Sequence, residues 1–278
     1  MTDRLLVVNA DDFGLAPGVS RGILEANRIG VVTSTSVIVT MPTWNVTSRL
    51  LQHAHASLGI GLHFDILTGR PLVADSSLVC AATGGFYSYP ILLRRIVSGR
   101  ISCRDVEREC AAQIARLRVT LLARGLTITH IDSHRHTHVL PVVATGLRRA
   151  AHRAHIDTIR YPVERLMRGT DLVGRAHAVV LRALASFQRA SPSAQARGFL
   201  GIAWKGTGDY AGQLVHLSDQ LRAPVTELMC HPGYVDDTLR HLDRFTLHRE
   251  LELDALCASG LRASWERSGI RLVNFGTL

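Results

Sequence analysis

The sequence lacks several features that would assign it to a particular class of protein. Its five cysteines are scattered and form no CxxC pair, so neither a disulfide framework nor a thiolate zinc site is indicated. No apolar run approaches the roughly 20 residues that a membrane-spanning helix needs. The N-terminal apolar run is too short for a signal peptide. We therefore expect a cytoplasmic protein with reduced thiols.

Aromatic residues are few, at 5% of the chain, and they do not alternate with clustered basic residues. The net charge of +9 comes mainly from arginine, dispersed in pairs such as Arg94-Arg95 and Arg148-Arg149. Because a nucleic-acid-binding surface usually concentrates its basic residues, we expect no nucleic-acid partner. The charge is compatible with peripheral membrane contact if the substrate is lipid-linked. Whether the chain forms a homo-oligomer is left open.

Short β-branched runs alternate with longer helical patterns along the whole chain of 278 residues. Strands are predicted at residues 5–9, 34–40, 58–63, 128–132, 158–161, 198–203, 226–230 and 271–274. Helices are predicted at residues 18–28, 43–53, 104–123, 142–154, 172–189, 212–220 and 247–258. This order predicts a parallel sheet with right-handed crossovers, and the number of units favours an α/β fold with a single (β/α) barrel, closed or nearly closed.

No linker or repeat divides the sequence, so residues 1–278 are predicted to form a single catalytic domain. Two segments have no regular pattern, residues 68–90 and 191–197. The first is long enough to be a functional loop, and we expect it to act as a lid over the substrate.

Polar residues gather where predicted strands end. One strand runs into Asp11 and Asp12, another ends at His63, a third ends in HIDSHRHTH around His134, and a fourth ends at His231. In a barrel of parallel strands all carboxyl-terminal ends face one side, where active sites are assembled. We therefore expect these side chains to share one cleft.

The residue types suit hydrolysis assisted by a metal ion. One carboxylate and two imidazoles around a divalent ion leave positions open for water and for a substrate carbonyl. A second carboxylate could take the water's proton, and a histidine opposite could protonate the leaving group. Asp11 and Asp12 would point in opposite directions in an extended strand, but at a bend both could face the cleft.

Each feature also has an ordinary structural explanation. The Asp11-Asp12 pair could cap the following helix, His63 could be a buried core histidine, and His231 before Pro232-Gly233 could cap a turn. Three alternating histidines at a strand end are harder to explain without a metal. The four features agree in position and in type, which favours a common site.

These motifs resemble those of the YdjC-like carbohydrate deacetylase family, which includes chitooligosaccharide deacetylases and a hopanoid-associated deacetylase. The resemblance extends from residue 4 to about residue 240 and rests on NADDFG, VVTSTSVIV, GLHFDILTGRP, HIDSHRHTH and MCHPGYVD, which occur in the family's order. It implies a (β/α) barrel, distorted or incompletely closed and related to polysaccharide deacetylases. It also implies hydrolysis of an N-acetylated sugar, with release of acetate.

Carried over by residue, the resemblance implies that Asp12, His63 and His134 are metal ligands, Asp11 the general base and His231 the general acid. Family members are usually described with Mg²⁺, whereas the ligand types suit Zn²⁺ or Co²⁺ better. We therefore expect a divalent cation.

Neighbouring residues are expected to support this site. Asp132 and Asp65 could accept hydrogen bonds from ligating imidazoles, and strand alternation would put His136 and His138 on the side of His134. Phe64, Phe86, Tyr87, Trp204 and Tyr234 are candidates for stacking on sugar rings.

Other functions remain compatible with the same residues. The alternatives are another metal-dependent hydrolysis, of a phosphoester or a different amide, and a non-catalytic protein that binds a sugar or a metal. The substrate could be a soluble oligosaccharide or a sugar linked to a lipid.

Overall fold

The computed structural model describes residues 4–164, 172–185, 197–204 and 208–278. In these residues, strands that pair in parallel form one sheet in the order β4-β3-β2-β1-β6-β5, and β7 pairs with the start of β1. The strands are β1 Arg4–Phe13, β2 Ser34–Val37, β3 Gly59–Phe64, β4 Ile128–Ser133, β5 Gly198–Leu200, β6 Val225–Cys230 and β7 Ile270–Leu272.

Helices connect the strands, as parallel pairing requires. They are α1 Pro17–Arg28, α2 Trp44–Leu50, α3 Tyr89–Val97, α4 Cys103–Leu122, α5 Pro141–Arg153, α6 Leu172–Ala185, α7 Tyr210–Val215, α8 Asp237–Leu242, α9 Leu247–Leu256 and α10 Leu261–Arg267. None of the helices in the described part of the chain has the length and apolarity to cross a bilayer.

The sheet curls into a half-barrel, which confirms the predicted α/β barrel in its incompletely closed form. Arg160 follows a single parallel bridge between Ile131 and Ile159, beside β4. Its side chain nevertheless reaches Glu227 on β6, with Nε 2.8 Å from Oε1. Strands that are far apart in the order of the sheet therefore face each other across its interior.

The strands of this sheet are rich in apolar residues, because helices cover a parallel sheet and bury its strands. Residues 6–13 of β1 and all of β2 and β3 are buried. Polar side chains in such strands must find partners inside the protein. The exceptions to apolar sequence in the strands therefore identify the functional side chains.

The structure departs from the predicted elements in several places, and helices α8 and α10 were not predicted. The strand predicted at residues 158–161 is reduced to the bridge at Ile159, and Pro162, which has no backbone N–H for a ladder, follows shortly after. Helix α3 was not predicted, and it begins inside the predicted lid of residues 68–90, with Pro90 in its first turn. Residues 191–196 of the second irregular segment, and the end of the helix predicted at 172–189, lie outside the described residues.

Gly14 lies two residues after Asp12, and its backbone position leaves no room for a side chain. Its φ is +94°, and a Cβ there would lie 2.2 Å from the carbonyl oxygen of Ile38. We expect Gly14→Ala to lower the free energy of unfolding by roughly 3 kcal/mol, from positive-φ strain and overpacking together. Urea unfolding followed by circular dichroism measures this loss.

Gly84→Ala is the matched control. Gly84 also has a positive φ, of +66°, but a Cβ there would meet nothing within 4 Å. The control should cost about 1 kcal/mol, the cost of the backbone conformation alone. Equal losses in the two variants would contradict the close contact at Gly14.

Candidate active site

A β-bulge brings the two adjacent aspartates to the same cleft. In the pairing of β1 with β2, Ala10 is opposite Thr35 and Phe13 is opposite Val37, so Asp11 and Asp12 together oppose one residue. Asp12 has a φ of +71°. A bulge re-aims side chains that would otherwise alternate across a strand. Neither aspartate caps helix α1, whose N-cap is Ala16 and has no side-chain hydrogen bond.

Asp12 lies between two histidine rings from other strand ends. Its Oδ1 is 3.2 Å from His63 Nε2 and 3.0 Å from His134 Nδ1. All three residues are buried. One ligand atom of each lies within 4.8 Å of the others, which is close enough for the three to hold one metal ion.

The second carboxylate oxygen of Asp12, Oδ2, accepts a hydrogen bond from an arginine. Arg249 on α9 is fully buried, and its Nη2 donates to Asp12 Oδ2 at 2.7 Å. Burial would raise the pKa of Asp12, but Arg249 and His134 outweigh it and hold that pKa well below its ordinary value. Asp12 is therefore ionised, with Oδ1 directed at the two imidazoles.

His63 is oriented by a second aspartate. Its Nδ1 lies 2.7 Å from Asp132 Oδ1 and 3.0 Å from Ser36 Oγ, so Nε2 is the nitrogen that faces Asp12. Burial alone would lower the pKa of His63, but Asp132 and Asp12 raise it to about 10. A carboxylate behind a ligating imidazole fixes the ring and increases its basicity, so Asp132 takes the supporting position expected for it.

His134 is presented by a tight turn rather than by a strand. Strand β4 ends at Ser133, and Arg135 and His136 have φ of +52° and +54°. Strand alternation therefore does not continue past Ser133, and the placement expected from it is right for His136, which lines the cleft with His134, and wrong for His138. His136 faces the cleft, whereas His138 is buried with its Nδ1 2.6 Å from Ser133 Oγ.

Asp11 is held by a different arginine from Asp12. Arg160 donates from Nη1 to Asp11 Oδ2 and from Nη2 to Oδ1, both at 2.6 Å, and Asn9 Nδ2 adds a bond of 2.8 Å to Oδ1. Burial would raise the pKa of Asp11, but Arg160 overcomes this and lowers the pKa far below the usual range. Asp11 is therefore a fixed, ionised carboxylate.

His231 follows β6 and completes the group of predicted residues. Its backbone N–H donates to Glu252 on α9 at 2.6 Å, and its ring lies 5.7 Å from the ring of Phe245. It lines the same cleft as Asp11, Asp12, His63 and His134. The structure thus brings together all five residues that the sequence selected.

The cleft has a volume of about 470 Å³, large enough for a small sugar. Its aromatic walls are Tyr89, at the start of α3, and Phe245, in the loop before α9. Arg135, Arg244 and Asp243 contribute charged groups to the same cleft.

The five aromatic residues predicted to stack on sugar are not among the described residues that line this cleft. Phe64 and Trp204 are buried in the core, Phe86 and Tyr87 pack against it, and Tyr234 donates to Glu25. Among the described residues of the predicted lid, 68–90, Tyr89 is the one that lines the cleft.

Asp65, the other expected support for a ligand, serves the following loop instead. Its carboxylate accepts hydrogen bonds from Thr40 and Thr68 and from the backbone N–H of Leu67. The side chain therefore stabilises residues 65–68 and is not bonded to His63.

The donor set fits a divalent cation. One anionic oxygen and two imidazole nitrogens from three different strand ends are the usual protein ligands of a catalytic zinc-type site with open positions. The cleft beside them can admit water and a substrate. A second group, Asp11, His63 and Asp132, also satisfies the distance requirement, but Arg160 already occupies both of its carboxylates. Asp12, His63 and His134 are therefore the better candidate.

The sequence analysis missed the buried charged residues behind the two aspartates, Arg160, Glu227 and Arg249. Arg160 and Glu227 each interrupt a short apolar strand pattern, TIRYP and VTELMC, and an isolated charge at such a position signals a buried ion pair. Arg249 lies in an ordinary helical pattern that gives no such signal.

Comparisons with known proteins show the family to which this chain belongs. A family model described as YdjC-like protein matches residues 5–267. The chain is 33% identical over 273 residues to the carbohydrate deacetylase of Geobacillus stearothermophilus, covering 98% of this chain and 97% of the relative. It is 34% identical over 281 residues to the chitooligosaccharide deacetylase of Serratia marcescens, covering 99% and 100%.

One solved structure supports the fold. It is a protein of Enterococcus faecalis with the provisional name of cellobiose-phosphate cleavage protein. The TM-score is 0.74 at 23% identity, and the alignment covers 99% of this chain and 98% of that one. At this identity the likeness shows the architecture alone.

The two adjacent aspartates offer a matched test of the metal site. Asp12→Asn removes an anionic ligand, so we expect Zn²⁺ or Co²⁺ affinity to fall roughly 100-fold, while Asp11→Asn should change it by less than about tenfold. Isothermal titration calorimetry on metal-stripped protein measures both. Equal losses of affinity, or a larger loss in Asp11→Asn, would indicate that the ion binds at the second group, Asp11, His63 and Asp132.

Proposed function

Because the chain belongs to the YdjC-like family, we propose that it is a metal-dependent carbohydrate deacetylase that removes the N-acetyl group of an amino sugar and releases acetate. One observation supports this most directly: the three candidate ligands, the second aspartate and His231 line one cleft. The relatives named as carbohydrate and chitooligosaccharide deacetylases match this chain over nearly its full length. The whole chain is proposed to act as one catalytic unit.

In this proposal Asp12, His63 and His134 hold a divalent cation. When bound, the cation polarises the amide carbonyl and makes a neighbouring water more acidic. Arg249 keeps Oδ2 of Asp12 engaged, so Oδ1 is the oxygen available to the ion. Asp132 keeps His63 in the tautomer whose Nε2 can ligate.

Asp11 takes the proton of the attacking water. Its Oδ1 already accepts from Asn9 and Arg160, whereas Oδ2 accepts from Arg160 and retains a lone pair directed by that bidentate contact. The proton is transferred only as the water attacks, because the pKa of Asp11 is held low. Asp11 is thus a positioned acceptor rather than a strong resting base.

His231 protonates the amine as the carbon–nitrogen bond breaks. Its backbone N–H is bonded to Glu252 and its ring packs against Phe245, and both contacts help to place the imidazole in the cleft. The acetyl group, with the oxygen of the attacking water, is released as acetate, and the nitrogen stays on the sugar as an amine.

The identity of the cation and of the sugar are finer parts of the proposal. Ligand type favours Zn²⁺ or Co²⁺, and the family resemblance favours Mg²⁺. A soluble amino-sugar oligosaccharide fits an open cleft walled by Tyr89 and Phe245, and a lipid-linked sugar is the competing substrate. A cytoplasmic location remains a prediction.

Released acetate tests the reaction class. Metal-stripped protein is incubated with diacetylchitobiose or with an N-acetylglucosaminyl lipid, and Mg²⁺, Zn²⁺ or Co²⁺ is restored in turn. We expect acetate to appear only after a cation is restored, and the better substrate identifies the acceptor. No acetate from either substrate with any cation would refute the deacetylase.

Variants of Asp11 and His231 test the assigned proton transfers. Asp11→Asn cannot accept the proton, so kcat should fall by at least about 100-fold while the metal remains bound. His231→Gln should slow amide substrates strongly but aryl acetate esters much less, because their leaving group needs no proton. Similar losses on both substrate types would contradict the role of His231 as the acid.

A further inference from the structure

Glu227 is a buried acid to which the proposed reaction gives no role. It lies in the middle of β6, opposite Val7 of β1 and Phe199 of β5, and no other residue of the strand carries a charge. A carboxyl group in such a strand is costly unless it is paired. Its partner is Arg160, the residue that holds Asp11.

Two edges of the Arg160 guanidinium contact different carboxylates, those of Glu227 and Asp11. Glu227 Oε1 accepts from Nε at 2.8 Å and lies 2.7 Å from Nη2. Asp11 accepts from Nη1 and Nη2 at the adjacent edge, which shares Nη2. Glu227 therefore fixes the plane and the tilt of the group that presents Asp11 to the cleft.

The local charges do not balance. Asp132 Oδ2 also lies 2.8 Å from Arg160 Nη2, so three carboxyl groups surround one fully buried cation. Even if His63, whose Nδ1 lies 2.7 Å from Asp132 Oδ1, is counted as a second cation, three ionised carboxylates would leave excess negative charge inside the half-barrel. One member of the group is thus favoured to take up a proton.

We infer that Glu227 is a positioning residue that acts on Asp11 through Arg160, and that its ionisation sets how strongly Arg160 draws charge from Asp11. This inference rests on the proposed function of Asp11. When Glu227 is ionised it shares the guanidinium, and Asp11 is the more basic. When Glu227 is protonated, the positive charge of Arg160 acts more fully on Asp11, and Asp11 is less able to accept a proton.

The surroundings identify Glu227 as the group that titrates. The charged and titratable groups that face it from the elements around it are Arg160, Asp11 on β1, Asp132 on β4, Arg197 and Tyr161 beside the seam of the half-barrel, and Cys230 on its own strand. Arg160 holds the pKa of Asp11 and of Asp132 below its ordinary value. Burial raises the pKa of Glu227 to about 7, although Arg160 opposes this shift.

The activity test compares wild type with Glu227→Gln as a function of pH. Gln keeps the size and an accepting oxygen but cannot ionise. Near pH 5.5 wild-type Glu227 is protonated and the two proteins should have similar kcat. Near pH 8.5 wild type should be about tenfold faster, because a neighbouring charge shifts a pKa by one to three units and rate follows basicity. KM and metal affinity should not differ.

Thermal unfolding provides a readout that does not depend on turnover. The folded-state pKa of Glu227, about 7, exceeds its ordinary value of 4.5, so wild type loses stability as pH rises through that interval. The Tm of Glu227→Gln relative to wild type should therefore rise between about pH 5 and pH 8, and then level off. A difference in Tm that is constant with pH overturns the inference.

Glu109→Gln is the matched control. Glu109 is also a buried acid with a pKa raised by burial, but it accepts hydrogen bonds from Leu72, Val73 and Gln113, away from Arg160. Its kcat relative to wild type should not change with pH. A pH-independent kcat ratio for Glu227→Gln overturns the inference even if Tm shifts. If wild type releases no acetate, the proposed function fails separately, and the Tm comparison decides whether Glu227 titrates.

Discussion

The site depends on two buried arginines that hold adjacent aspartates apart. Asp11 and Asp12 are neighbours in sequence, both are buried, and two carboxylates so close together would repel each other in a medium of low polarity. Arg160 holds Asp11 and Arg249 holds Asp12. The bulge in β1 turns both side chains to the same cleft, and each cation keeps its own carboxylate ionised.

This separation allows the two aspartates to have different roles. Asp12, with one oxygen held by Arg249, offers the other to the imidazoles of His63 and His134. Asp11, held at both oxygens, stays beside this group without joining it. The arginines come from different elements of the fold, Arg160 from the chain beside β4 and Arg249 from α9. The geometry of the site therefore depends on the whole curled sheet.

Much of this arrangement was predictable from the sequence, because parallel strands end at one edge of a sheet. Apolar runs that lead into Asp11, His63, His134 and His231 were sufficient to predict a shared cleft. The ion pairs across the interior of the half-barrel were not predictable. Contacts such as that of Arg160 with Glu227 depend on how far the sheet curls. Strand alternation failed after Ser133, where Arg135 and His136 take a left-handed backbone conformation.

The positions of the aromatic residues also depend on tertiary packing. Sequence alone does not distinguish a ring in the core from one in a cleft, and Phe64 and Phe245 have equally apolar side chains. The difference arises from a helix and a loop: α3 brings Tyr89 to the cleft, and the segment before α9 brings Phe245. Neither position follows from local periodicity, because each depends on tertiary packing.

The central claim is that one divalent ion binds between Asp12, His63 and His134, with Asp11 beside it but not coordinated. The most direct test is a crystal structure of the protein with Zn²⁺ or Co²⁺, with anomalous diffraction recorded at the absorption edge of the metal. The account predicts one peak within bonding distance of Asp12, His63 and His134, with Asp11 still paired to Arg160. A peak bonded to Asp11 and Asp132, or no ordered peak in the cleft, would contradict it.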